Sequence, residues 1–187
     1  MDQALDTLEN ITYDELQEGD TASFSRTLTE DELVLFAAVS GDVNPVHLDP
    51  DFAAGSMFKE RIAHGMWSGS LISAALATVL PGPGTVYLEQ SLNFRRPVKL
   101  DDTLTVTLTV LSKLPKQRVL MGCKVHNQAG EEVVNGKQRS LRQKRNCLCP
   151  SRGCQRSPFS TREPLISWGE SQSGSARSGF PHPLHRN

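Results

Sequence analysis

The stretch SGDVNPVHLDP, Ser40 to Pro50, sets a carboxylate, Asp42, five residues ahead of an imidazole, His47. Between them Pro45 lacks an amide donor and biases Asn44 away from helical dihedrals. An ordered turn rather than more helix is therefore expected from Asp42 to His47. On such a turn the two side chains can converge on one small molecule, and an Asp/His pair near neutral pH suits moving a proton of water. The same spacing also suits a plainer outcome, in which Asp42 caps the turn and His47 is a satisfied loop histidine. A second stretch, AHGMWSGS (Ala63 to Ser70), opens an apolar run with Gly65. At a helix start, the Gly65 N–H has the positive end of the helix dipole behind it and can hold a developing negative oxygen. Glycine also lets a ligand carbonyl approach closely, although many helices simply begin with one. Ser70 lies about one and a half turns further in. It either faces the same pocket or is a core hydroxyl bonded to a backbone carbonyl. His64 precedes the helix and reads as structural.

Those residues need elements to hold them. Gly19 to Thr27 read as a first strand, with Ala22 and Phe24 alternating against polar neighbours. Thr29 with Glu32 makes a capping-box start, Leu33, Phe36, Ala37 and Val39 recur at helical spacing, and Gly41 closes the helix. An irregular loop follows from Asp42 to Asp49, then a short helical piece around Pro50 to Ala54. Gly65 to Leu80 is the second long helix. Its apolar residues lie around much of the circumference and the rest are small, which predicts burial on all sides. PGPG, Pro81 to Gly84, is a turn, after which the period changes to two. Val86, Leu88, Leu92 and Phe94 are expected on one strand face. Leu104, Val106, Leu108 and Val110 alternate with threonines on the next, and Val119, Met121, Cys123 and Val125 form a third such face. Val133 and Val134 begin a last strand. The expected fold class is α+β: an antiparallel sheet wrapped around a buried central helix, with no helix separating the late strands.

Charge divides the chain. Up to Leu141 there are 12 Lys/Arg and 19 Asp/Glu, a net of −7, and from Arg142 onward 8 Lys/Arg and 2 Asp/Glu, a net of +6. The acidic body argues against nucleic acid as a partner. Residues 1–141 are expected to form one domain. Residues 142–187, rich in Arg, Ser, Pro and Gly, are expected to form a disordered basic tail. The longest apolar stretch is too short and too polar to span a bilayer, and no signal peptide is readable, so a cytoplasmic location is expected. Cys147, Cys149 and Cys154 match zinc spacing poorly, and no metal is expected.

Together, SGDVNPVHLDPDFA, HGMWSGS and YLEQSLNFRRPV resemble the MaoC-like hydratases, specifically the short (R)-specific enoyl-CoA hydratases, over about Leu8 to Lys137. A weaker resemblance is to hydratase domains fused to phosphate acyltransferases. The resemblance implies a hot-dog fold, a homodimer in fatty-acid metabolism, and reversible addition of water to a trans-2-enoyl-CoA to give the (R)-3-hydroxyacyl-CoA. It implies that Asp42 and His47 are the catalytic acid/base pair and that Asn44 helps set the pocket. Gly65 would polarise the thioester carbonyl, and Ser70 would hydrogen-bond within the site. The acyl-CoA is substrate, and no other cofactor is implied. This chain departs from the family pattern at Gln138 to Arg145, where Gln and Arg stand in place of a final apolar strand.

Two other readings stay open. A hot-dog thioesterase commonly needs a carboxylate early on the central helix, and Met66 to Leu80 contains no Asp or Glu. A non-catalytic acyl-CoA binding module would not need the Asp42/His47 pair. Arg95 and Arg96 are candidates for coenzyme A phosphates, or simply a solvated strand edge. Acyl-chain preference is expected to lie with residues between Ala53 and Ile62.

Overall fold

The computed structural model describes Leu8 and residues 10–142. The expected tail lies outside the described residues except for Arg142. In chain order the elements are β1 (Thr21–Thr27), α1 (Glu30–Ser40), α2 (Pro45–Leu48), α3 (Pro50–Gly55), α4 (Gly65–Thr78), β2 (Val86–Phe94), β3 (Thr103–Leu114), β4 (Arg118–His126) and β5 (Glu132–Leu141). The strands form one antiparallel sheet in the order β1-β3-β4-β5-β2. The α+β reading holds.

Local chemistry explains most boundaries. The Thr29 side chain accepts the Glu32 N–H at 3.2 Å and so caps α1. Only half of the capping box forms, because the Glu32 carboxylate turns instead to Arg26 at 2.5 Å. Gly41 ends α1 in the left-handed region, φ 76°, which a glycine enters without penalty. The expected irregular loop after Asp42 is corrected: Pro45 starts a one-turn helix, α2, that carries His47. Proline suits that first helical position, where no amide donor is needed.

The core lies between α4 and the inner face of the sheet. Leu104, Val106, Leu108 and Val110 of β3 and Val119, Met121, Cys123 and Val125 of β4 are all buried, as their alternation requires. They meet Trp67, Leu71, Ile72, Ala75 and Leu76 of α4. Burial of α4 on every side is not observed. Met66, Ser70, Ser73 and Ala77 form an exposed stripe along it.

Two features of the sheet depart from the reading of the sequence. The pairing of β2 with β5 shifts between Tyr87 and Glu89, leaving Leu88 as an extra residue. The slip changes side-chain parity, so Val86 does not share the face of Leu92 and Phe94. The final strand also continues to Leu141 despite its polar composition, because β5 is paired on both edges, to β4 and to β2. Gln138, Ser140 and Arg142 are consequently buried. Arg142 belongs with the body: its guanidinium donates to the carbonyl oxygens of Ile11 and Pro83, at 2.5 Å each. Among the described residues no helix is long and apolar enough to cross a membrane.

Candidate active site

Asp42 follows the Gly41 cap, on the link between α1 and α2. Its own N–H donates to Ser40 Oγ at 3.2 Å, and its Oδ1 accepts the Asn44 N–H at 3.3 Å. That leaves Oδ2 facing His47. Asn44 then caps α2: its Oδ1 accepts the Val46 N–H at 3.2 Å, and its carbonyl oxygen accepts the His47 N–H at 3.0 Å. Asn44 therefore fixes both functional residues, one through each side of its backbone.

His47 is buried, with its Nδ1 2.8 Å from the Ile62 carbonyl oxygen. A carbonyl only accepts, so Nδ1 carries the hydrogen and Nε2 presents a lone pair. His47 Nε2 lies 3.9 Å from Asp42 Oδ2. This is too far for a direct hydrogen bond. A water oxygen about 2.8 Å from each atom would subtend about 90° across that gap, a natural angle for the two O–H groups of one water.

Ile62 belongs to the segment running into α4. It pairs with Lys99 in an isolated bridge, and Ala63 N–H donates to the Val98 carbonyl at 2.7 Å, so the segment is tied to the chain after β2. Gly65 is the first residue of α4, where an N–H has no intrahelical acceptor. A Cβ at Gly65 would lie 3.3 Å from Phe94 Cε1. Bare backbone is what keeps this approach open.

Two cavities meet at His64 and Gly65. One, about 360 Å³, is lined by His47, Phe58, Ile62, Ser68 and Val134 among others. The other, about 340 Å³, is lined by Asp42, Phe36, Met66 and Phe94 among others. The Asp42/His47 pair thus stands where the cavities join, with the helix N-terminus beside it. Arg95 and Arg96 line the first cavity, and Arg96 also pairs with Glu131 at 3.5 Å. Asp42, His47 and His64 offer ligand atoms within 4.8 Å of one another, so a divalent ion is a rival occupant to water.

The structure brings Asp42, His47, Asn44 and Gly65 together and leaves Ser70 apart. Ser70 Oγ donates to the Trp67 carbonyl at 2.6 Å and lines a different cavity with Arg26 and Glu32. Ser68, half a turn earlier, is the buried helix serine that faces the His47 cavity. His64, which reads as structural in the sequence, lines both cavities beside Gly65. Its adjacency to Gly65 was the only signal in the sequence.

Comparison with known proteins bears on the family and the fold. The MaoC-like domain profile matches residues 15–133. The structure resembles that of R-hydratase PhaJ1 from Pseudomonas aeruginosa in its unliganded form, with a TM-score of 0.72 and 58% identity, covering 74% of this chain and 90% of that one. An (R)-specific enoyl-CoA hydratase of Rhodospirillum rubrum is 43% identical over 124 residues, covering 66% of this chain and 86% of the relative. A 3-hydroxybutyryl-CoA dehydratase of Methylorubrum extorquens is 40% identical over 131 residues, covering 70% of this chain and 82% of the relative.

Proposed function

The chain belongs to the MaoC-like domain family, and from that premise we propose that it reversibly hydrates a trans-2-enoyl-CoA to the (R)-3-hydroxyacyl-CoA. The observation that carries the reading is the 3.9 Å gap between Asp42 Oδ2 and His47 Nε2. Both atoms accept, so one water donates a hydrogen to each and turns its lone pairs outward. Hydration needs oxygen at Cβ, a proton at Cα and stabilisation of an enolate-like oxygen in between.

His47 Nε2 takes a proton from the water as its oxygen bonds to Cβ, and the C=C electrons move toward Cα and the thioester oxygen. The Gly65 N–H holds that oxygen as charge builds, an interaction worth a few kcal/mol in comparable sites. His47 then returns the same proton to Cα. Water is added whole, no co-reactant is consumed, and both new bonds form on the face that the pair addresses. Asp42 keeps the water oriented and balances the imidazolium that forms. The acyl chain extends into the cavity of Phe58 and Ile62, whose apolar walls suit it. No metal is required, because the imidazole supplies the base that a metal-bound hydroxide otherwise would. Activity that survives chelation supports this, and activity lost on chelation and restored by a divalent ion overturns it.

Incubation with crotonyl-CoA tests the function. Loss of the enoyl absorbance with the thioester intact and an (R) product supports hydration. Release of free thiol identifies a thioesterase, and binding without turnover a non-catalytic module.

The proposal includes a homodimer acting in the cytoplasm. β1 and β2 are the outer strands of the sheet, and unpaired edges invite pairing. Phe94 of β2 and Met66 of α4, which line one cavity, are 51% and 57% exposed, an apolar surface suited to a second copy. Sedimentation at micromolar concentration decides the assembly, and a fully active monomer defeats it. Activity found only in the membrane fraction would defeat the location.

A further inference from the structure

Asp42 sits on an exposed link, its side chain 52% accessible, yet the proposed chemistry needs its distance to His47 held closely. The Ser40 and Asn44 contacts are local and move with the link. The tie between Asp42 and the body comes from His64, whose Nε2 lies 2.9 Å from the Asp42 carbonyl oxygen. A carbonyl accepts, so His64 donates from Nε2. The same ring lies against His47, with centroids 3.9 Å apart and planes 32° from parallel, and its other neighbour is Phe36 at 5.1 Å.

His64 is 2% exposed, and its Nδ1 is buried without a hydrogen-bond partner. A phenyl ring would fill the slot without leaving a buried nitrogen unpaired. What imidazole alone adds is the Nε2–H that grips Asp42. Nor does the His64 side chain cap α4, although the residue occupies the N-cap position.

We propose that His64 is a positioning residue: it clamps the Asp42 backbone while bracing the His47 ring, and so sets the separation of the acid/base pair. The four residues Ile62 to Gly65 then align the whole site. Ile62 fixes the His47 tautomer, His64 fixes Asp42, and Gly65 offers its N–H to the substrate oxygen. The inference rests on the hydratase reading, and turnover of crotonyl-CoA by the unmodified protein checks that reading separately.

Three variants isolate the clamp. His64→Phe keeps a ring against His47 and removes the donor, His64→Gln keeps a donor and removes the ring, and His64→Leu removes both. His64→Phe should lower kcat roughly 10- to 100-fold with KM within about twofold, since misplacing catalytic groups by about an ångström costs on that scale. His64→Gln should recover most of the loss, and His64→Leu should be the slowest. The ring resonances of His47 in 15N-histidine-labelled protein should move or broaden in His64→Leu and return toward their original positions in His64→Phe, which keeps a ring against His47. That readout needs no turnover, so it tests the positioning even if the hydratase reading fails. Normal turnover in His64→Phe, or unmoved His47 resonances in His64→Leu, would overturn the proposal. So would losses in kcat that track melting temperature across all three variants.

Discussion

Asp42 Oδ2 and His47 Nε2 face each other across 3.9 Å, each with its remaining polar atom held by backbone: Asp42 Oδ1 by the Asn44 N–H and His47 Nδ1 by the Ile62 carbonyl. Backbone groups thus set the orientation of both side chains, which is what acid–base chemistry on one water requires.

Removing either partner should therefore be costly to the reaction and cheap to the fold. Asp42→Asn and His47→Ala should each lower kcat by roughly 10²–10⁴-fold. Because both groups grip one water, the double variant should fall little further than the worse single one. Steady-state kinetics with crotonyl-CoA, alongside thermal melts, checks this. Near-normal turnover in both single variants would remove the mechanism.

Asn44 is a cap, and its loss should show first in stability. Asn44→Ala deletes the acceptor for the Val46 N–H and should cost about 1 kcal/mol. Turnover should fall less than in Asp42→Asn, since the Asn44 N–H that holds Asp42 survives. Urea denaturation and kinetics on the same sample compare the two effects.

Gly136 tolerates no side chain. A Cβ there would stand 1.9 Å from the backbone oxygen of Ser91, across the β2–β5 ladder, and backbone cannot yield as a side chain can. Gly122 is a matched control, since its nearest obstacle is the end of the Leu111 side chain at 3.3 Å. Gly136→Ala should lower the melting temperature by many degrees or prevent folding, and Gly122→Ala should change it little. Equal effects would contradict the register.

Polar groups in the polar half of β5 are predicted to be a liability. Gln138 and Ser140 are fully buried, and neither side chain finds a hydrogen-bond partner among the described residues. Each such group costs about 1–3 kcal/mol in desolvation. Gln138→Met and Ser140→Ala should accordingly raise stability, measured by chemical denaturation. A loss in both would mean that these groups are satisfied in solution.

Cys123 should be inert in the native protein. Burial in the core pushes its thiol up to about 12, only partly opposed by a hydrogen bond from Gln90. At pH 8 almost no thiolate is present to react. Alkylation followed by peptide mapping should leave the Cys123 peptide unmodified until denaturant is added. Rapid labelling of native protein would contradict this burial.

Much of this arrangement is local and was readable in the chain itself. Thr29 and Gly41 bound α1 because capping and left-handed turns depend on neighbours only a few residues apart. The alternation from Thr103 to Val110 assigns the core face of β3, because successive strand residues point to opposite sides. Asp42 and His47 stand together because Pro45 and Asn44 fold the short stretch between them into a capped turn. Other features exist only once distant segments meet. Which serine of α4 enters the cavity depends on how the helix rotates against the sheet, so Ser68 faces it while Ser70 bonds back to Trp67. The bulge at Leu88 and the burial of Gln138 and Ser140 follow from ladder pairing. Backbone hydrogen bonds between strands are indifferent to side-chain type, so β5 holds its register between β4 and β2 against its own composition. The clamp from His64 to Asp42 spans 22 residues, and no period or motif encodes a hydrogen bond between a ring and a carbonyl that only the packing of α4 brings within reach.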